Sequence, residues 1–253
     1  MHRNRLIPVL LLHNKSLVKT VNFKDFIYVG DPCNTVRIFN ELEVDELLFL
    51  DIKASQEKTR PNFEVLSEIA NECFMPLAYG GGINNIDTSK QIFDTGFEKV
   101  SLNMSALEQP DLITQVANVY GSQAVIVSID IKKDFFGRTR VFKNRGLRNT
   151  KLLPCNWAKE VESLGAGEIL LTSIDREGTW SGLDLQTIKE VVNSVNIPVI
   201  AHGGVGNINH IHQALKDSAL SAVAVGSMVV FQKKGMGVLV NFPRLEEPLN
   251  SSA

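Results

Sequence analysis

Short apolar runs and longer amphipathic segments alternate along the whole chain. The apolar runs are rich in Val, Ile and Leu and predict buried strands at residues 6–12, 46–51, 75–79, 99–103, 124–130, 168–175, 198–201 and 222–227. The intervening segments carry apolar residues at helical spacing. Strands that alternate with helices form parallel β-α-β units, and eight such units close a barrel. The pattern therefore predicts an α/β fold, a single (β/α)8 TIM barrel over residues 1–253, with a doubly wound open sheet as the alternative.

Three segments interrupt this alternation. Residues 13–30 are polar and basic and predict a long loop, after which Asp31-Pro32 indicates a helix start, since Asp caps helices and Pro suits the first turn. Residues 133–151 are again polar and basic, with room for a short hairpin. From Lys233 onward, glycines and Pro243 predict at most a shortened final helix.

The second half of the chain repeats features of the first half at closely similar spacing. A repeat of about 120 residues is far longer than the periods of solenoid proteins, so it indicates duplication within one fold. We therefore expect one domain made of two half-barrels, at about residues 1–121 and 122–253. The matching series are Phe49-Leu-Asp51, Gly80-Gly-Gly82 and Ser101-Leu-Asn103 in the first half, and Ser173-Ile-Asp175, Gly203-Gly204 and Gly226-Ser227-Met228 in the second.

Paired glycines after two predicted strands indicate anion binding at the mouth of the barrel, where the strands end. A glycine turn lets backbone N–H groups approach a phosphate, and Ser and Asn side chains add donors. Two such turns suit a substrate with a phosphate at each end, whereas the alternative is that the glycines only make tight turns. The candidate phosphate-binding residues are Gly81, Gly82, Ser101, Asn103, Gly178, Gly203, Gly204, Gly226 and Ser227.

The strand at residues 124–130 ends in a carboxylate, Asp130, which needs a partner inside a buried strand but can meet a ligand at the strand's exit. The repeat aligns Asp130 with Leu11 of the first strand. A reaction catalysed by a paired general acid and general base would lack one of these two groups here. Losing such a group typically lowers the rate about 10²- to 10⁴-fold. The alternative is that this position never needed a carboxylate.

Four other polar residues are candidates for the mouth of the barrel: Lys19, Asp51, Asp175 and His202. His202 follows a predicted strand and could act as an acid, a base or a phosphate donor, or only pack as a polar side chain. Asp51 and Asp175 end matching strands, where they either contact a ligand or orient loops.

Composition narrows the class of protein. The 253 residues are 44% hydrophobic, with a net charge of −2 and a pI near 6.2, which argues against a nucleic-acid-binding or membrane-surface protein. The three cysteines, Cys33, Cys73 and Cys155, lack metal-ligand spacing and indicate reduced thiols in a cytoplasmic protein. We expect no signal peptide, membrane span, metal or cofactor.

Motifs spread over nearly the whole chain are similar to those of one family. They include Val29-Gly-Asp-Pro32, Gly80-Gly-Gly-Ile83, Lys99-Val-Ser101, Ser128-Ile-Asp130 and Ser173-Ile-Asp-Arg176. Together they resemble HisF, the cyclase subunit of imidazole glycerol phosphate synthase. The resemblance implies a barrel for a two-phosphate small molecule, which takes ammonia from a glutaminase partner, HisH, through the barrel axis.

Charged residues begin four of the predicted strands: Arg5, Glu46, Lys99 and Glu168. If they point inward, they form a ring of alternating charge at the floor of the barrel. They match the ammonia gate of the HisF family residue by residue. The alternative is a structural ring that closes the barrel, because buried charges must pair. Both roles can hold at once, and the charges argue against a free-standing isomerase.

Departures from the family pattern bear on function. Leu11 stands at the family's catalytic Asp, Thr20 at a Gly after the loop lysine, and His202 at a Ser. Leu10-Leu-Leu12 together with Leu17-Val-Lys-Thr20 resembles the HisF paralogues from surface-polysaccharide gene clusters. That resemblance implies a HisH-like glutaminase bound at the N-terminal barrel face, and ammonia delivery to a sugar amidotransferase that builds acetamidino groups. The alternative is a working cyclase subunit in histidine biosynthesis.

Overall fold

The structure is a computed structural model that describes residues 4–243. The described part of the chain contains twelve strands: β1 (Arg5–His13), β2 (Ser16–Val21), β3 (Lys24–Gly30), β4 (Leu47–Asp51), β5 (Leu77–Gly80), β6 (Lys99–Leu102), β7 (Val125–Lys133), β8 (Thr139–Lys143), β9 (Arg148–Asn149), β10 (Glu168–Ser173), β11 (Val199–His202) and β12 (Ala222–Val225). It also contains ten α-helices: α1 (Pro32–Glu41), α2 (Ala54–Glu57), α3 (Phe63–Glu72), α4 (Ile86–Asp94), α5 (Met104–Glu108), α6 (Asp111–Tyr120), α7 (Pro154–Ser163), α8 (Leu185–Val192), α9 (Ile208–Asp217) and α10 (Ser227–Val230).

Eight of these strands form a closed parallel barrel, which confirms the predicted fold. The order around the barrel is β1, β4, β5, β6, β7, β10, β11 and β12. Closure comes from the pairing of β1 with β12, in which Arg5 lies beside Ala222. The eight strands therefore make one unit, and the division into two half-barrels near residue 121 stays a prediction from the repeat.

Alternating residues of each barrel strand pack into two separate cores. Along β1, Ile7, Val9 and Leu11 point into the barrel, whereas Leu6 and Leu10 pack against the surrounding helices. The inner core is completed by small and branched side chains from the other strands, as expected for a barrel whose interior is filled. These are Leu48, Ala78, Ile126, Leu170, Ile200, Ala222 and Ala224.

Side-chain caps fix where several of the helices begin. Asp31 has an extended backbone and accepts a hydrogen bond from the Asn34 N–H at 2.8 Å, and Pro32 occupies the first turn of α1, as predicted. Asn62, Asn85, Asp184 and Asn207 cap later helices in the same way. Because each helix follows a strand, these capped ends lie at the mouth of the barrel.

Residues 13–30 differ from the prediction of a loop, because they form an antiparallel hairpin of β2 and β3 that extends β1. The hairpin turn uses left-handed backbone at Asn22, Phe23 and Asp25. The polar composition of residues 13–30 did not indicate strands, because Lys19 and Thr20 are buried by residues elsewhere in the sequence. The second basic segment does hold a hairpin, in which β8 pairs with β7 and β9.

Smaller differences concern helix number and length. Two short helices, α2 and α5, follow strand ends and were not predicted, and α1 ends at Glu41 although helical spacing continues to Asp45. The last helix of the described residues, α10, is short and ends before Lys233, whereas the sequence allowed a shortened helix after Lys233. Residues 233–243 contain no helix, and residues 244–253 lie outside the described part.

We expect Asp31→Ala to lower the free energy of unfolding by about 1 kcal/mol, because the first turn of α1 loses its side-chain cap. Urea denaturation measures this difference. Asp94→Ala is the matched control, since Asp94 is exposed at the C-terminal end of α4, where a negative charge gains nothing from the helix dipole. An equal loss in both variants would contradict the capping role.

Candidate active site

Four charged side chains close the floor of the barrel. Arg5 binds Glu46 at 2.8 Å and Glu168 at 2.7 Å, and Lys99 binds the other oxygen of each carboxylate at 3.0 and 3.2 Å. Burial alone lowers the pKa of Arg5, but the two carboxylates reverse this effect and raise it. The predicted ring therefore exists, with each anion shared between two cations.

An apolar section of the barrel separates this ring from the mouth. Along β10, Glu168 lies at the floor, Leu170 belongs to the inner core, and Thr172 reaches the mouth. Along β1, Arg5 is followed on the same face by Ile7, Val9 and Leu11. The barrel axis thus passes from charged to apolar to polar surroundings.

A cavity of about 130 Å³ opens at the mouth and brings Leu11 and Asp130 together. Leu11 is buried, and it pairs with Leu50 of β4 and Val18 of β2. Other apolar side chains and a larger set of polar ones line the rest of the wall. The polar lining includes Asp51, Ser101, Asn103, Ser128, Asp130, Thr172, Glu177 and His202.

Asp130 is held by Asn103, whose side-chain amide donates to the Asp130 carboxylate at 3.1 Å and to the Ser128 carbonyl at 3.0 Å. Burial raises the pKa of Asp130 to about 7, the amide of Asn103 opposes the rise, and the charge of Glu177 adds to it. Asp130 can therefore gain or lose a proton near neutral pH. Asn103 donates to Asp130 because that buried carboxylate needs a donor, and phosphate binding by Asn103 stays a prediction.

Glu177 is a mouth residue that the sequence did not reveal. Its carboxylate accepts hydrogen bonds from the Thr20 hydroxyl at 2.9 Å and the Phe23 N–H at 3.0 Å. Burial raises its pKa, whereas the hydrogen bonds and the nearby Lys19 lower it. The available signal was its position in the loop after β10, two residues beyond the more obvious Asp175.

Lys19 is fully buried beside this group, where its ammonium donates to the carbonyl of Val9. Burial lowers the pKa of Lys19, and the carboxylate of Glu177 opposes that change. A Cβ built on Gly226 would lie 2.9 Å from the Lys19 nitrogen, so Gly226 leaves room for the ammonium. The hairpin thus places the Lys19 ammonium beside Val9 and Gly226, and contact of Lys19 with a ligand stays a prediction.

His202 lies between the main cavity and a smaller recess of about 20 Å³. Its Nδ1 is 3.2 Å from the Thr172 hydroxyl. Burial and then the charge of Lys19 lower the pKa of His202 to about 3, so the ring is neutral at physiological pH. A neutral ring can donate one N–H or accept a proton, but it does not supply a positive charge to a phosphate.

The two aspartates at matching strand ends have different surroundings. Asp51 accepts from the N–H groups of Lys53 and Ala54 at 3.1 and 3.0 Å, which orients the loop at the start of α2, and it also lines the cavity. Asp175 is exposed, accepts from the Lys133 N–H at 2.9 Å and lines neither cavity. The hydrogen bond from Lys133 fits the alternative that Asp175 orients a loop, and contact of Asp175 with a ligand stays a prediction.

Both paired-glycine turns are tight. Gly81 has φ +126°, and a Cβ built there would lie 2.6 Å from the Asp51 carbonyl oxygen. Gly204 has φ +108°, and its Cβ would lie 2.2 Å from the Gly182 carbonyl oxygen. These contacts require glycine with or without a ligand, so phosphate binding stays a prediction. Gly81, Gly82 and Ser101 line the main cavity, and Gly178, Gly203, Gly204, Gly226 and Ser227 surround the smaller recess.

Residues 4–243 contain no group of three or more His, Cys, Asp or Glu side chains arranged to hold a metal ion. Within the same range, no helix has the length and apolar character needed to cross a membrane.

The model of the family described as "Histidine biosynthesis protein" matches residues 5–234. The chain belongs to this family. A relative from Pseudomonas aeruginosa, "Putative imidazole glycerol phosphate synthase subunit hisF2", is 48% identical over 96% of this chain and 97% of its own length. A Vibrio vulnificus relative, "Putative imidazole glycerol phosphate synthase subunit hisF3", is 42% identical over 98% and 95% of the two chains.

A third relative, "Imidazole glycerol phosphate synthase subunit HisF" from Alkaliphilus metalliredigens, is 40% identical over 97% of this chain and 95% of its own. The resemblance to HisF is thus confirmed over nearly the full chain. The protein is a HisF-like enzyme subunit, and subunits of this kind pair with HisH in general.

In this HisF-like chain, we expect Asp130→Asn to gain stability relative to the parent as pH rises. Because the folded-state pKa of Asp130 is raised to about 7, ionisation penalises the native state progressively above pH 4 and fully above pH 7. The difference in free energy of unfolding should grow by a few kcal/mol, on the order expected for a buried carboxylate, and then level off. Urea denaturation from pH 4.5 to 8.5 measures it.

The matched control is Asp94→Asn, an exposed carboxylate whose replacement should show no comparable dependence on pH. In the Asp130→Asn variant, the oxygen of the introduced amide can still accept the hydrogen bond of Asn103, so loss of that bond is not a confounding effect. A constant difference between the Asp130→Asn variant and the parent over this range would contradict the raised pKa.

Proposed function

We propose that this chain is the ammonia-conducting subunit of a glutamine amidotransferase and has no cyclase turnover of its own. A HisH-type glutaminase binds at the N-terminal barrel face, and ammonia passes along the barrel axis to the mouth. A separate sugar amidotransferase then uses it to build an acetamidino group for a surface polysaccharide. The observation that carries this proposal is a complete charged ring at the floor below a mouth cavity that Leu11 lines together with Asp130.

Leu11 occupies the position where a paired acid–base site would need its second ionisable group. Ring closure and bond cleavage each need proton transfer at defined positions, and a leucine can neither give nor take a proton. Across the sheet, the backbone neighbours of Leu11 are Leu50 and Val18, which are also apolar. Glu177 lies in the same cavity, but it is engaged by Thr20 and Phe23 and belongs to a different strand end.

The floor and the barrel axis support the conducting role. A ring of four alternating charges can open for a small neutral molecule when one ion pair breaks and can close again without leaving a charge unpaired. The apolar section above the ring binds neither phosphate nor sugar, so it favours ammonia as the molecule that passes. The glycine turns at the mouth support binding of a phosphorylated small molecule.

A second candidate is a working cyclase subunit of imidazole glycerol phosphate synthase in histidine biosynthesis. The observation that favours it is the retention of Asp130, with a pKa of about 7, in the cavity that Gly81 and Gly82 also line. The gene neighbourhood distinguishes the two candidates, because the first places the gene beside polysaccharide genes and the second beside histidine genes.

We expect the purified chain to show negligible turnover of the family's two-phosphate substrate with ammonium salt. Leu11→Asp should raise the rate by at least about tenfold, because it restores the second ionisable group. Leu11→Asn is the matched control of similar shape, and it should stay inactive. Product formation is followed by absorbance or chromatography, with circular dichroism to verify folding. Turnover by the parent chain at the rate of an ordinary HisF would refute the proposal.

We expect Glu46→Ala to uncouple glutamine hydrolysis by the glutaminase from amidation of the sugar. The variant leaves Arg5 and Lys99 each with one carboxylate, which opens the floor to water and lets ammonia escape. More glutamate should then form per amidated product, whereas amidation driven by added ammonium salt should be unchanged. Glu160→Ala, on the exposed face of α7, is the control. An unchanged ratio would show that the ring is structural only.

A further inference from the structure

The first hairpin exposes apolar side chains at the mouth end of the barrel. Phe26, Ile27 and Tyr28 are consecutive on β3, and all three are exposed, with 65% of the Tyr28 surface accessible. β3 pairs only with β2 among the described strands, so its other edge carries unpaired backbone groups. Such an edge can add a strand or side chains of another protein.

The second hairpin is more exposed still. Phe135 and Phe136 form the turn between β7 and β8, with ring centroids 5.5 Å apart and exposed fractions of 98% and 75%. Leu147, between β8 and β9, is also exposed. Neighbouring exposed aromatic side chains are uncommon on a monomer and typically mark an interaction surface.

Charge is concentrated in the same hairpin. Residues 132–151 contain eight basic residues and one acidic residue, although the whole chain has a net charge of −2. Asp134 pairs with Arg138 and Arg140, and Lys143 pairs with Glu108. Within residues 4–243, Arg148 and Lys151 form no ion pair and are exposed. A partner bound here must therefore present an acidic face.

The two hairpins meet at the edge of the mouth cavity. Arg145 lines this cavity, donates to the Phe23 carbonyl at 2.7 Å and lies 4.9 Å from the centre of the Phe26 ring. Arg145 thus links the basic hairpin to β3 directly beside the opening. We call the exposed residues of both hairpins the mouth-rim surface: Phe26, Ile27, Tyr28, Phe135, Phe136, Leu147, Arg148 and Lys151.

We propose that the mouth-rim surface docks an acidic face of the enzyme that consumes the ammonia. The inference rests on the proposed function, because ammonia leaving the mouth must enter a second active site before it reaches bulk water. Apolar side chains around the opening exclude water, and the surrounding basic residues select and orient the acidic partner. An enzyme fits better than a lipid surface, because hydrocarbon cannot satisfy the open edge of β3.

The test uses the complex of this chain with its glutaminase and the purified sugar amidotransferase encoded in the same gene neighbourhood. Two double variants remove different parts of the surface: Phe135→Ser with Phe136→Ser, and Arg148→Glu with Lys151→Glu. Each should weaken binding to the amidotransferase by at least about tenfold, as for central interface residues. Binding of the parent should also weaken as salt is raised, because the charge contribution is screened.

The matched control is Lys90→Glu with Lys159→Glu, which reverses two exposed charges on α4 and α7, outside the mouth-rim surface. It should bind as the parent does. Glutamine-driven amidation should fall with binding in the two double variants, whereas glutaminase activation and amidation with ammonium salt should not change. Absence of binding by the parent, or parent-like binding by both double variants, would overturn the proposal.

The binding readout separates this proposal from the proposed function. If the parent binds through the mouth-rim surface but glutamine never drives amidation, the proposed ammonia delivery is refuted and the docking surface is supported. If glutamine drives amidation equally in all variants, the proposed ammonia delivery is supported and the docking surface is refuted. Other occupants are tested directly. Variant-sensitive binding to phosphatidylcholine–phosphatidylserine vesicles, or variant-sensitive self-association, with no effect on the amidotransferase, would also overturn it.

Discussion

The shared ion pairs of Arg5, Glu46, Lys99 and Glu168 constrain the register of half the barrel. All four side chains must point inward at the same level, because an unpaired charge in this position is costly. A slip of one residue in any of these strands would turn its charge outward and leave its partners unsatisfied. The same register brings Leu11 and Thr172 inward at the mouth, so the floor and the site are determined together.

The mouth keeps ionisable side chains that follow different strands. Asp130 is held by Asn103 and has a pKa near neutrality, and Glu177 is fixed by Thr20 and Phe23. Leu11 lines the same cavity with an apolar side chain. The scaffold is thus kept around a mouth where the position that the repeat aligns with Asp130 carries no ionisable group.

The barrel and its ring were predictable because they depend on local periodicity. Period-two alternation places Arg5 and Leu11 on one face of the same strand, and apolar runs mark the other strands. Residues fixed by distant contacts were not predictable. Glu177 is buried by hydrogen bonds to a hairpin more than a hundred residues earlier, and the side-chain amide of Asn103 donates to Asp130 of the neighbouring strand. Sequence spacing likewise gave no sign that Asp175 accepts a hydrogen bond from Lys133, forty-two residues earlier.

The first hairpin connects the interior of the site to the outer surface. On its inner side, Lys19 and Thr20 engage Val9 and Glu177, and on its outer side β3 exposes Tyr28 and an unpaired edge. A displacement of β3 must therefore be transmitted to the buried ammonium and to Glu177, because β2 and β3 share one hydrogen-bonded ladder. The polar residues that made this segment resemble a loop are those that tie it to the mouth. The exposed apolar residues of β3 would be a solubility liability in an isolated protein, and they are explained by a partner.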